Sequence, residues 1–123
     1  MIQVQQEALM ELGKFFQLAA DGVEGLNMPS QFIDRAWHSL IENKEAYEQF
    51  CIETCGKLIE HDPTAGEGLI GWVPAYEARF GKLPKSWFQN DQGMVDERAY
   101  RDYLNTGKWY AGWDCGPVVP TMN

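Results

Sequence analysis

The side chains able to do chemistry are few and partly gathered: His38, Cys51, Cys55 and His61, with Cys115 far downstream. Thiolate and imidazole are the donors a tetrahedral zinc ion prefers, and four of them complete its shell. Cys51 and Cys55 are four apart on an expected helix, so they share a face with Cβ atoms about 5–6 Å apart. A disulfide needs Cβ atoms near about 4 Å, which makes the pair a poor bridge and a better metal clip. His61 follows six residues beyond Cys55 and can fold back toward it. The competing reading is that these cysteines are small core hydrophobes, and the spacing is not that of a zinc finger.

His38 lies off the apolar stripe of its expected helix, near Asp34 and Glu42. Asp34, one turn back, is placed to hydrogen-bond the imidazole and fix its tautomer. Such a pair suits a general base, and equally suits a surface helix pair of little consequence. No nucleophile signature accompanies it. Gly66-Glu67-Gly68 lacks the Lys-Ser/Thr continuation of a phosphate loop. No catalytic residue is assigned, and non-enzymatic action is the expectation. Trp87, Trp109 and Trp113 sit in segments punctuated by glycine and proline, where they either pin loops to a core or line a groove for a peptide or ligand.

The elements that must position these groups read as helices. Ala8, Leu9, Leu12, Phe15, Phe16 and Ala19 recur at helical spacing over residues 4–20. Met28-Pro29-Ser30 starts a second helix with Ser30 as N-cap, and Phe32, Ile33, Ala36, Trp37, Leu40 and Ile41 are its stripe. A third covers Lys44 to Cys55 and ends at Gly56, so the two form an antiparallel hairpin. Leu58 to Pro63 is extended, and residues 64–68 read as a loop. Apolar spacing over Leu69 to Phe80 gives a fourth helix, regular from near Trp72 or Val73 because Pro74 fits a first turn. A fifth starts at Asp96 and ends at Thr106-Gly107, burying Ala99, Tyr100, Tyr103 and Leu104. The stretch from Lys108 onward is expected to pack over the helices as an irregular aromatic tail.

The whole, residues 1–123, is therefore expected to be one all-α domain of about five helices. Its 45% apolar content and sixteen aromatic residues supply a core without disulfides or metal. A net charge of −8 disfavours nucleic-acid backbones and anionic membranes. The acids are spread along the chain, which favours simple solubility over mimicry of nucleic acid. No run of about 18 apolar residues occurs, and the first twenty residues do not have the pattern of a secretory signal. Three cysteines then read as reduced thiols in a cytoplasm.

The block Met28-Pro29-Ser30, Ile33-Asp34, Trp37-His38, Tyr47, Phe50-Cys51, Gly56 and Ile59-Glu60-His61-Asp62-Pro63 resembles a bacterial family of small uncharacterised proteins. It is also similar to the helical module of plant-type glycine-rich domain-containing proteins. In the family pattern a second histidine often follows the Trp-His pair, where this chain has Leu40. Two histidines often precede the proline, where it has Glu60-His61. His38, Cys51 and His61 are the matching polar positions. The resemblance implies a helical module and no particular activity. The expectation is an accessory or protein-interaction module with an unknown protein partner and no cofactor. A zinc-type metal-binding protein using His38, Cys51, Cys55 and His61 is the alternative, and an acidic mimic of nucleic acid a weaker one.

Overall fold

A computed structural model describes residues 2–120, with side chains from residue 6 onward. Five α-helices appear: α1 Ile2–Ala20, α2 Gln31–Ile41, α3 Lys44–Cys55, α4 Val73–Phe80 and α5 Glu97–Thr106. A 3-10 turn spans Lys85–Phe88. Helix limits follow local chemistry. Ser30, Asn43 and Asp96 each accept a backbone N–H three residues on, from Ile33, Ala46 and Ala99. Gly56 and Gly107 close α3 and α5 in the left-handed conformation that glycine adopts without a Cβ clash. Pro74 lies in the first turn of α4, where its missing N–H costs nothing.

The all-α expectation is overturned. Four strands are present among the described residues: β1 Glu60–Asp62, β2 Gly66–Leu69, β3 Tyr110–Trp113 and β4 Gly116–Val118. β1 pairs antiparallel with β4, and β2 with β3, making the chain a mixed α/β protein with two small two-stranded sheets. The supposed loop at 64–68 and the supposed irregular tail therefore supply both β2–β3 partners. The strands are three or four residues long and contain four glycines, too short and too poor in apolar alternation to signal themselves. Their ladders exist because two distant segments are brought together.

The registers show how. Asp62 faces Gly116 and Gly66 faces Trp113, so three residues, 63–65, oppose two, 114–115. One extra residue on one side is the signature of a bulge, which breaks alternation and re-aims a neighbouring side chain. Cys115 lies in that break.

The core is aromatic. Phe15, Phe16, Trp37, Trp72, Tyr76 and Trp87 are buried, and Phe15 packs edge-on against Trp37 and Trp72. α1 packs on both α2 and α3. Two further expectations are corrected. Leu69 belongs to β2 and not to α4, and on α5 only Tyr103 is buried while Leu104 is exposed. The Trp87-Phe88 connector is the 3-10 turn, and both of its rings are buried.

Candidate metal centre

The start of α2 is pinned before any functional group is reached. The Ser30 hydroxyl accepts from the Ile33 N–H at 3.2 Å and donates to the Ser86 carbonyl at 3.1 Å. From that fixed end, Asp34 and His38 project one turn apart on one face. Their separation is 3.4 Å between Asp34 Oδ1 and His38 Nε2. β1 brings His61 from the other side, with Nε2 at 3.9 Å from the same oxygen. The broken ladder brings Cys115, whose Sγ donates to that oxygen at 3.1 Å. Cys115 is held by its own carbonyl, which accepts from the Met28 N–H at 2.9 Å, just ahead of α2.

One donor atom from each of Asp34, His38, His61 and Cys115 lies within 4.8 Å of every other. Zinc bonds of about 2.0–2.3 Å at tetrahedral angles set donors roughly 3.3–3.8 Å apart. The three separations measured from Asp34 Oδ1 fall close to that range. The imidazoles stand edge to face, with centroids 4.7 Å apart, and Trp37 backs His61 at the same centroid distance.

The electrostatics of the group suit metal ligation. Burial, and then the neighbouring His38, hold His61 below the ordinary histidine pKa, which favours the neutral ring that a metal binds. His61 Nε2 is buried and has no hydrogen-bond partner among the described residues. An unmatched buried nitrogen facing a carboxylate and a thiol calls for an explanation, and a cation supplies one. Burial, then the bond to Asp34, push the Cys115 thiol up, so a metal ion bound there would have to displace its proton to solvent.

The donor group does not include Cys51 or Cys55. Cys51 is fully buried in the core, and burial raises its pKa. The Cys55 thiol donates to the carbonyls of Cys51 and Lys57. Both bonds are local to the end of α3. The structure thus joins His38 and His61 with Asp34 and Cys115, and leaves the helix thiols to packing. Cys115 could be found from sequence only as a third thiol; no spacing links it to residues 34–61.

Trp87, Trp109 and Trp113 all line one open cleft of about 950 Å³ beside this centre, and Asp34 lines it too. Trp87 and Trp109 are buried in its floor, and Trp113 is half-buried.

A family model described as UCP032817-like matches residues 2–67, more than half of the chain. The chain belongs to that UCP032817-like family. The matched span holds Asp34, His38 and His61, whereas Cys115, β3 and β4 lie beyond it. No curated protein and no solved structure matches the chain.

Proposed function

We propose that the chain is a zinc-type metal-binding protein with a structural centre made by Asp34, His38, His61 and Cys115. The observation that carries the reading is the convergence of these four donors, one of them an unmatched buried imidazole nitrogen. Mixed nitrogen, sulfur and oxygen donors suit zinc better than calcium or magnesium, which take oxygen shells. Four protein donors fill a tetrahedron and leave no open position for catalysis, in keeping with an accessory role. The ion would tie the 115–118 segment to α2 and β1. A cytoplasmic location fits three free cysteines. The likeness to the helical module of glycine-rich domain-containing proteins belongs to the same reading, since Trp37-His38 and His61-Asp62-Pro63 hold two of the donors.

The test is titration of chelator-cleared protein with Zn²⁺, followed by calorimetry and thermal melting. Stoichiometric binding and a rise in Tm are expected, since a ligand at a hundred times its Kd adds about 2.7 kcal/mol. Co²⁺ should give the visible bands of a tetrahedral thiolate site, absent in Cys115→Ser and retained in Cys51→Ser. No uptake, or uptake lost in Cys51→Ser and kept in Cys115→Ser, would sink the proposal.

A further inference from the structure

One buried hydroxyl reaches both elements that carry the histidines. Tyr47 stands on α3, and its ring is buried edge-on against Phe16. Its hydroxyl accepts from the Trp37 indole N–H at 3.0 Å and donates to the Ile59 carbonyl at 2.6 Å. Both bonds are buried, so removing the hydroxyl strands a donor and an acceptor together. Burial, ahead of every other influence, keeps the phenol protonated well above the ordinary tyrosine range, so it can donate throughout neutral pH.

Each bond leads toward the donor group. Trp37 precedes His38 on α2, and its ring meets the His61 imidazole edge to face with centroids 4.7 Å apart. Ile59 stands two residues before His61, a step that spans no more than about 7 Å of main chain. The hydroxyl is thus a single point that fixes the backbone from which His61 projects and the ring on which its imidazole rests. Other holds on His61 are light. Its Nε2 has no hydrogen-bond partner among the described residues. The strand opposite, β4, offers only two N–H groups from its three residues, because Pro117, which faces His61, has none. A bound ion needs its donors within about 0.2 Å of the ideal bond length, and an imidazole free to tilt misses that.

We propose that Tyr47 is a positioning residue of the metal centre, its hydroxyl setting the aim of His61 through Ile59 and Trp37. The proposal rests on the zinc reading for its ligand, while the positioning itself can be read without metal.

The experiment compares full-length parent, Tyr47→Phe and Tyr103→Phe. Tyr103 is a matched control outside the donor group: its hydroxyl also accepts one bond, from the Leu83 N–H, and donates one, to Glu77. Zinc titration by calorimetry should show about 10–100-fold weaker binding in Tyr47→Phe, and affinity within about twofold of the parent in Tyr103→Phe. Trp37→Phe gives up one of the two bonds and keeps a ring beside His61. It should weaken binding less, and it takes over the test if Tyr47→Phe does not fold. In metal-free protein the Trp37 ring current displaces the NMR signals of the His61 ring protons. Those signals should move toward free-histidine positions in Tyr47→Phe and stay in place in Tyr103→Phe. Parent-like zinc affinity in folded Tyr47→Phe or in Trp37→Phe, equal losses in the two tyrosine variants, or unmoved His61 signals would overturn the proposal. A parent that takes up no zinc would sink the zinc reading alone, and the metal-free signals then decide whether Tyr47 aims His61.

Discussion

The Cys115 thiol donates to the Asp34 carboxylate at 3.1 Å, although 81 residues separate them in the chain. The contact stores a proton where a metal would need a thiolate. Zinc binding near neutral pH should therefore release a proton. A pH indicator in weak buffer should show the release in the parent protein and a smaller one in Cys115→Ser. Asp34→Asn should keep the release and lose at least tenfold in affinity, because a carboxylate oxygen has become a poor amide ligand. Zinc uptake without proton release would contradict this account.

Gly116 offers a test that leaves every donor in place. A Cβ there would sit 2.8 Å from the Leu26 carbonyl oxygen, a backbone atom with little room to move. Gly116→Ala should push the 115–116 backbone away from the segment leading into α2. Zinc affinity should fall at least as far as for loss of an outer-shell partner, about 10–100-fold. Calorimetry on folded protein would measure it; unchanged affinity would mean the donor group tolerates displacement.

Glu11 is a buried carboxylate at 3% exposure. It accepts from the Tyr76 hydroxyl at 2.5 Å, the Trp87 indole N–H at 2.9 Å and Lys14 at 3.0 Å. Glu11→Leu strands two buried donors, and should destabilise the fold by about 3–5 kcal/mol. Glu11→Gln keeps an acceptor and should cost less, about 1–3 kcal/mol. Urea unfolding of both variants, neither of which touches the donor group, reads the difference.

Alkali should unfold the protein through its buried phenols. Burial, then the bond to Glu77, push Tyr103 up to about 12, and Tyr76 is raised further beside Glu11. An unfolded tyrosine ionises near about 10. Above that pH the unfolded chain holds fewer protons than the folded one, so stability falls as pH rises from 10 toward about 12. The Tyr103 share is on the order of 2 kcal/mol. Tyr103→Phe should be less stable at neutral pH, because the Leu83 N–H loses its acceptor, yet should show a shallower alkaline decline. Urea midpoints at about pH 9 and about pH 11 compare the slopes.

Helices were legible because their signals are local. The Ser30 cap and the Gly56 stop each act within a few residues, and the Ile33-Ala36-Trp37 stripe repeats on the helical period. The strands were not legible, because Gly66 to Leu69 carries no pattern of its own and acquires one only opposite Tyr110 to Trp113. Half of the candidate centre showed for the same reason. Asp34 and His38 are one helical turn apart, whereas Cys115 joins them through pairing across the length of the chain. Cys51 and Cys55 carried the clearer spacing, yet one of them fills the core and the other bonds its own helix end. Nothing near Glu11 in the sequence announces that Tyr76 and Trp87 will meet it.

The uneven crossing of residues 63–65 over 114–115 has a cost-free remedy that would be harmful. Deleting Ala65 would even the count and let the two short ladders fuse into one longer, more regular ribbon. Cys115 would then become an ordinary rung, its thiol sent to one face by simple alternation and away from α2. A tidier sheet and a blunted binding centre would arrive together. The misfit is therefore where this chain trades β regularity for the aim of a single sulfur atom.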